Sequence, residues 1–258
     1  MRHAATTNAT HRERSGYSEA TRDKLLEAAG RAFAERGFAG ATIREICKEA
    51  GANVAAVNYY FKDKLALYTE VLRQVAQAKN VDGVRAALEQ RVSPEDALRD
   101  AVRARLRGIY GQKRPDWHFR IAAREFAQPT PAMSQVIDTV MRPIYSRLCG
   151  VVGKIIGRPP DQEQTRLCAH SVIGQMMHYI LGGKVIHCLW PEMEMTPEQV
   201  ERVANHIADF SLAYLHQVGA ANREAAAQGS ARNAQEKQND RTANRSGRSA
   251  KSHPALAK

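Results

Sequence analysis

Residues 53–64 read Asn-Val-Ala-Ala-Val-Asn-Tyr-Tyr-Phe-Lys-Asp-Lys, a run of small, amide, phenolic and ammonium side chains. An asparagine such as Asn58 can form two hydrogen bonds to an adenine edge, and an alanine methyl group can contact the methyl group of thymine. Tyrosine hydroxyls and lysine ammonium groups suit phosphate oxygens, which position a protein on DNA without reading its sequence. The run therefore predicts a surface that binds double-stranded DNA.

Two short helices joined by a tight turn are predicted to carry these residues. Thr42 is placed to cap the first helix, Glu45 follows as in a capping box, and Gly51 supplies the turn. The second helix is predicted over about 53–60. Its inward face comprises Val54, Val57 and Phe61, and its outward face comprises Ala55, Ala56, Asn58 and Tyr59. A purely structural helical bundle is the alternative, but the turn, the capping box and the run together favour a helix-turn-helix that enters the major groove.

The stretch from Ser18 to Tyr68 resembles the DNA-binding domain of the TetR family of bacterial transcriptional regulators. The matching segments are RDKLLEAA at 22–29, FAERGF at 33–38, ATIREI at 41–46 and YYFKDKL at 59–65. The resemblance implies DNA contacts from Thr42, Asn53, Ala55, Ala56, Asn58, Tyr59, Tyr60 and Lys64, to which ammonium chemistry adds Lys62. It also implies that an all-helical domain for ligand binding and dimerisation follows. Asn58 stands where many members have tyrosine, so an operator sequence does not carry over.

The charge of the chain is concentrated outside the motif. The formal net charge is +11 over 258 residues, yet residues 18–64 hold eight basic and seven acidic side chains. Residues 222–258 hold eight basic and three acidic ones, and such arms add salt-sensitive, sequence-independent affinity for DNA. We therefore predict four regions. They are a disordered basic arm at 1–17, a helix-turn-helix domain at 18–64, a helical effector-binding and dimerisation domain at 65–218, and a disordered basic tail at 219–258.

Apolar runs and cysteines indicate the cellular setting. The chain has no apolar run of roughly 18 residues and no signal-peptide core, so we expect a cytoplasmic protein without a membrane partner. Cys47, Cys149, Cys168 and Cys188 lie far apart without paired spacing, which is typical of reduced thiols.

Dense helix punctuation and few strand signals predict an all-α fold. A first helix is expected over 18–36, with Gly37 as its end. Ser93-Pro94-Glu95-Asp96 and Thr196-Pro197-Glu198-Gln199 are strong helix starts, because each combines a cap with proline at the first helical position. Further helices are predicted over about 62–79, 93–111, 115–127, 131–156, 161–183 and 197–217.

The C-terminal region has a resemblance of its own. Residues 117–133, Arg142-Pro143 and residues 171–178 are similar to the effector domain of the CecR-like branch of the family. This similarity implies a dimeric repressor with a drug-like or unidentified effector. Independently, apolar stripes on the helices 161–183 and 197–217 predict a homodimer interface of four helices. Two motifs would then lie about one turn of DNA apart, roughly 34–36 Å. The alternative is that both stripes pack within the monomer.

A pocket for a small hydrophobic effector is expected among the helices of 93–156. The candidate lining residues are Trp117, Phe119, Arg120, Arg124, Glu125, Met133, Met141, Tyr145, Gln175, His178 and Tyr179. Each has a structural alternative: an ion-pair network for the arginines and the glutamate, and core packing for the others.

The function predicted from these features is a ligand-responsive transcriptional regulator, most simply a repressor released from a palindromic operator by its effector. The chain lacks a phosphate-binding glycine loop, an HExxH motif and a nucleophile elbow, so we expect neither an enzyme nor a cofactor. Cys168, His170 and His178 match no common zinc spacing. A regulator that senses redox state through a thiol and a helical protein-interaction module remain the alternatives.

Overall fold

The computed structural model describes residues 4–77, 81–90, 93–111 and 115–249, and within that part it describes the side chains of residues 19–230 and 232. Within these ranges the chain is helical and contains no strand, so the predicted all-α fold is confirmed. The helices are α1 (Ala4–Gly40), α2 (Ile43–Ala50), α3 (Val54–Phe61), α4 (Lys64–Gln77), α5 (Val81–Glu89), α6 (Pro94–Tyr110), α7 (Asp116–Ala127), α8 (Pro131–Val136), a π-helical turn (Ile137–Met141), α9 (Arg142–Ile156), α10 (Glu163–Leu189) and α11 (Pro197–Ser249).

Both terminal helices extend beyond their predicted boundaries. α1 begins at Ala4 and α11 continues to Ser249, whereas helices were predicted over 18–36 and 197–217. The C-terminal extension over 219–249 is rich in alanine and arginine, whose helix propensity favours prolonging a helix that has already formed. Residues 223–230 are exposed, as expected for a segment with few apolar groups.

Buried side chains form two hydrophobic cores, and their boundary does not follow the chain. The N-terminal core combines residues of α1–α4 with Trp117, Ile121, Ala132, Val136 and Val140 from α7, α8 and the π-helical turn. The C-terminal core combines α5, α6, α9, α10 and α11. Helices α7 and α8 therefore pack with the N-terminal helices, although the sequence predicted that they belong to the second domain.

The π-helical turn interrupts a segment that was predicted as one helix over 131–156. Pro143 lacks an N–H group, and in a regular helix its ring would clash with the carbonyl of Thr139. The chain widens at this point, and the N–H of Arg142 donates to the carbonyl of Ile137, five residues back. A single proline thus explains both the π-helical turn and the separate start of α9.

None of the helices in the described part has the length and hydropathy that a membrane-spanning segment requires.

Candidate nucleic-acid interface

The cap and the turn of the helix-turn-helix form as predicted. Thr42 Oγ1 accepts a hydrogen bond from the N–H of Glu45 at 3.3 Å, and the Glu45 carboxylate accepts from Thr42 N at 3.2 Å and from Thr42 Oγ1 at 2.7 Å. These hydrogen bonds hold the pKa of Glu45 below its ordinary value. Gly51 ends α2 with φ 64°, the left-handed conformation that a glycine adopts without steric cost. The capping box fixes where α2 begins, and the glycine fixes where the chain turns into α3.

α3 is capped by a residue that was predicted to contact DNA. Asn53 Oδ1 accepts a hydrogen bond from the N–H of Ala55 at 3.0 Å, which satisfies a free donor of the first turn. Val57 and Phe61 are buried as predicted, but Val54 is 42% exposed because it lies in the first turn, beyond the edge of the core. The predicted inward face is therefore shorter by one residue.

The predicted DNA-contacting residues of α3 divide into exposed and half-buried members. Ala55, Asn58 and Tyr59 are exposed, and Tyr59 is 80% accessible. Ala56 and Tyr60 are half-buried and pack against the N-terminal core. The rings of Tyr59 and Tyr60 meet edge to face with their centroids 4.8 Å apart. Tyr60 thereby supports the ring of Tyr59 at the surface.

The two lysines after α3 have different surroundings. Lys62 is exposed and has φ 73°, a conformation uncommon for a residue with a Cβ atom, where the chain turns from α3 toward α4. Lys64 is half-buried, donates to the carbonyl of Ala39 at 3.3 Å, and lies 4.9 Å from the ring centroid of Phe38. Lys62 is therefore the freer of the two cations.

The structure adds two basic residues on α2 that the sequence interpretation did not include. Arg44 and Lys48 are exposed, lie one turn apart and have no hydrogen-bond or ion-pair partner among the described residues. Arg44 comes two residues after the capping Thr42, and this proximity to the cap was the signal available in the sequence. Both cations lie on α2, the first helix of the helix-turn-helix, and in such proteins the first helix crosses the DNA backbone while the second, here α3, is the recognition helix.

Comparison with known proteins agrees with this geometry. A profile of bacterial regulatory proteins of the tetR family matches residues 25–71, and one of the C-terminal domain of the HTH-type transcriptional dual regulator CecR matches residues 94–215. The chain belongs to the TetR family. It is a DNA-binding transcriptional regulator with a CecR-type C-terminal domain, and its relatives are regulators rather than enzymes.

Relatives and solved structures share most of this architecture. The chain is 27% identical to the dual regulator CecR of Shigella flexneri over 177 residues, which cover 65% of this chain and 79% of that protein. It is 26% identical to the regulator BetI of Stenotrophomonas maltophilia over 205 residues, which cover 77% and 96%. FadR from Bacillus subtilis in complex with stearoyl-CoA (TM-score 0.54, 14% identity) covers 73% of this chain and 96% of its own. PfmR from Thermus thermophilus (TM-score 0.54, 21% identity) covers 74% and 95%. At these identities the two structures show that the fold is shared.

Several residues predicted to line an effector pocket in this TetR-family chain contact the DNA-binding helices instead. Trp117 is buried, its indole N–H donates to Glu27 Oε1 at 3.0 Å, and a Cβ atom at Gly30 would lie 2.6 Å from its ring. A Cβ atom at Gly37, where φ is 73°, would lie 2.5 Å from the guanidinium group of Arg124. The reason is that one face of α7 packs directly on α1, so these side chains fill the junction.

The remaining pocket candidates are dispersed. Met133 packs on the N-terminal core, whereas Phe119, Tyr145 and Tyr179 pack on the C-terminal core. Arg120, Met141 and His178 are exposed, and Gln175 donates to Ser211 Oγ at 3.1 Å between α10 and α11. Glu125 is 1% exposed and accepts hydrogen bonds from Tyr68 and Thr130. The predicted set therefore does not form one site.

Large apolar side chains are exposed on the two helices that were predicted to form the dimer. Leu167 on α10 is 61% exposed, and Phe210 and Tyr214 on α11 are 63% and 56% exposed. Ser171 and Gly174, which allow close helix approach, are also exposed on α10. Other members of the predicted stripes are buried in the C-terminal core, including Val172, Ile180, Val203 and Ile207. The stripes thus supply both the monomer core and an exposed apolar face.

Three of the four cysteines are buried, namely Cys47, Cys149 and Cys168, whereas Cys188 is exposed. Burial raises the pKa of the Cys47 and Cys168 thiols, which lowers the fraction of reactive thiolate at neutral pH. The described residues contain no group of histidine, cysteine and acidic side chains that could hold a metal ion.

Proposed function

We propose that this TetR-family regulator is a homodimeric repressor that binds a palindromic operator through α2 and α3 and leaves it when a small hydrophobic effector binds. The observation that carries the proposal is the exposed set of DNA-compatible side chains on the two helices. This set comprises Arg44, Lys48, Ala55, Asn58, Tyr59 and Lys62. The complex of the fold relative FadR with stearoyl-CoA supports the ligand-responsive part of the proposal.

The exposed set divides into residues that read bases and residues that bind phosphates. Asn58 projects from the middle of α3, and a bidentate contact with adenine discriminates against other bases by about 1–3 kcal/mol. Tyr59 and Lys62 suit phosphate oxygens. We assign the phosphate contact to Lys62 in place of Lys64, because the Lys64 ammonium already contacts Ala39 and Phe38.

Fluorescence anisotropy tests this division, with an operator found by genome-wide footprinting and a scrambled duplex of the same length. Asn58→Ala should cost about 1–3 kcal/mol on the operator and little on the scrambled duplex. Lys62→Ala should weaken both duplexes equally and reduce the slope of affinity against salt by about one. Lys154→Ala on α9, which removes the same charge from an exposed site remote from the motif, is the control. Equal losses on both duplexes for Asn58→Ala would contradict the assignment.

The exposed face around Phe210 is the proposed dimer interface. Phe210→Glu places a charge in an apolar contact, so sedimentation velocity should show a monomer. The affinity for the operator should then fall strongly, because a monomer binds only one half-site. Phe126→Glu is a matched control, because Phe126 is 67% exposed on α7, outside this face. A Phe210→Glu variant that stays dimeric and binds the operator normally would refute the assigned face.

A further inference from the structure

A cavity lies where the two hydrophobic cores meet. Its volume is about 340 Å³, within the range of small-molecule sites. It is bounded by the last residue of α4, by α5, by the π-helical turn and by the first turns of α9. Its lining includes Val81, Asp82, Arg85, Val140, Ile144 and Arg147.

The walls of the cavity come from both cores. Val140 of the π-helical turn is buried in the N-terminal core, and Val81 packs against the same core. Ile144 of α9 packs against the C-terminal core. Gln77 also lines the cavity and ends α4, the helix that follows the recognition helix. An occupant would therefore contact both cores and the helix that leads to the DNA-binding surface.

The charged residues that line the cavity are two arginines, Arg85 and Arg147, and one aspartate, Asp82. Arg147 Nε donates to Glu89 Oε1 at 2.5 Å and Nη1 donates to the carbonyl of Pro143 at 3.0 Å, which holds the guanidinium group in place. Its Nη2 has no hydrogen-bond partner among the described residues. Arg85 pairs with Asp82 at 2.9 Å, an exposed i,i+3 pair that contributes little stability and can yield to a stronger anion.

The apolar part adjoins these two guanidinium groups. Ile144 and Arg147 belong to α9 and Val140 to the π-helical turn just before it, whereas Val81 and Arg85 both belong to α5. Two guanidinium groups beside branched aliphatic side chains match a carboxylate that carries a hydrocarbon chain, because arginine binds carboxylates in a bidentate, charge-assisted geometry. An ammonium group in place of the carboxylate could not accept these hydrogen bonds, and a hydroxyl group would accept them without the added strength of an ionised acceptor.

We propose that this cavity is the effector site and that its ligand is an amphipathic carboxylate bound through Arg147 and Arg85. The inference rests on the proposed effector-responsive function. Binding there regulates DNA affinity if the occupied cavity favours the arrangement of α4 that releases the operator, since a ligand with equal affinity for both arrangements shifts nothing.

Isothermal titration of the full-length protein without DNA tests the site separately from operator binding. The probe is octanoate, and octylamine and 1-octanol are the matched head-group controls. Octanoate should bind tighter than either control, and Arg147→Gln should weaken octanoate by about tenfold while leaving 1-octanol unchanged. Arg142→Gln is the matched control variant, because Arg142 lies on the same helix, pairs with Asp138 at 2.6 Å and does not line the cavity.

A second variant tests occupancy without altering charge. Thr139 is exposed and lines the cavity, so Thr139→Trp should fill it and abolish octanoate binding while circular dichroism shows an intact helical fold. Equal binding of octanoate and 1-octanol, or unchanged octanoate binding by Arg147→Gln and Thr139→Trp, would overturn the site. Absence of octanoate binding by the wild-type protein would overturn it as well.

The effect of octanoate on operator affinity tests whether the cavity regulates DNA binding. Octanoate should lower operator affinity in the wild-type protein and not in Arg147→Gln. Octanoate binding that leaves operator affinity unchanged would overturn the assignment of this cavity as the effector site, while DNA binding by the ligand-free protein would still support the proposed repressor. Loss of all sequence preference in the ligand-free protein would instead refute the proposed function.

Discussion

Removing the hydroxyl group of Tyr68, at the junction of α4 and α7, should measurably lower the stability of the protein. Tyr68 is fully buried, and its ring lies edge to face on Phe33 with the centroids 4.6 Å apart. Its hydroxyl donates to Glu125 Oε1 at 2.6 Å. The same carboxylate accepts from the N–H and the hydroxyl of Thr130, both at 2.9 Å. Tyr68→Phe keeps the ring and removes one of three hydrogen bonds from a carboxylate that is 1% exposed.

The expected cost follows from the charge of the acceptor. Hydrogen bonds to charged groups contribute about 1.5–3 kcal/mol, and the Glu125 carboxylate keeps its two hydrogen bonds from Thr130 after the change. We therefore expect Tyr68→Phe to lower the free energy of unfolding by about 2 kcal/mol, or the melting temperature by roughly 4–8 °C. Burial, followed by the hydrogen bond to Glu125, holds the pKa of Tyr68 well above its usual range. The hydroxyl thus remains a proton donor, and the loss should be constant from neutral to mildly alkaline pH.

Urea unfolding followed by circular dichroism measures this loss. Tyr59→Phe is the control, because it removes the same atom from a side chain that is 80% exposed, and it should change stability by less than about 0.5 kcal/mol. Glu125→Gln combined with Tyr68→Phe completes a double-mutant cycle, in which the two losses should not add. Equal stabilities for Tyr68→Phe and Tyr59→Phe, or fully additive losses in the cycle, would refute the reasoning.

Three further predictions follow from other contacts. Trp117→Phe keeps an aromatic ring against α1 but removes the indole hydrogen bond to Glu27, so calorimetry should show a loss of about 1 kcal/mol and a matching Glu27→Gln change should give little additional loss. Cys188 should react before Cys168 with a thiol-specific chromogenic disulfide at neutral pH, because Cys188 is exposed and burial raises the pKa of Cys168 and reduces its thiolate fraction. Equal reaction rates for the two thiols would favour a regulator that senses redox state through a thiol. Asn222→Ala removes a hydrogen bond of 2.8 Å to the carbonyl of Ile156 at the end of α9 and should lower thermal stability by about 1 kcal/mol, whereas an exposed polar change such as Gln228→Ala should not.

The DNA-binding helices were predictable because their determinants are local. Thr42 and Glu45 lie three residues apart and satisfy each other's backbone and side-chain groups, so the pattern alone identifies the helix start. Gly51 ends α2 for an equally local reason, its tolerance of a left-handed backbone. The surroundings of Lys64 were not predictable, because they depend on Phe38 and Ala39, 26 and 25 residues earlier in the chain.

The role of α7 was missed because periodicity identifies an apolar face but not the surface that covers it. Trp117 meets Glu27 across 90 residues of chain, and nothing in the spacing of either residue indicates that contact. The sequence placed Glu125 in an effector pocket or an ion-pair network, whereas the structure buries it against the uncharged donors of Tyr68 and Thr130. Its partners, Tyr68 and Thr130, become recognisable only when α4 and α8 are packed against α7.

The arrangement of the cores sets a requirement on any effector of this regulator. Moving a two-state equilibrium from about 1:99 to 99:1 needs about 5.5 kcal/mol of differential affinity. In the proposed site, the hydrogen bonds to Arg85 and Arg147 count toward this difference only as far as they change between the two arrangements, and the loss of one such bond corresponds to about 1.5–3 kcal/mol. The remaining 3 kcal/mol or so corresponds to about 120 Å² of apolar surface at about 25 cal/mol per Å². Val140 belongs to one core and Ile144 to the other. A relative movement of the two cores would therefore change the apolar area that a bound hydrocarbon chain covers. The hydrocarbon part of the ligand, more than its charged end, must therefore distinguish the DNA-bound arrangement from the released one.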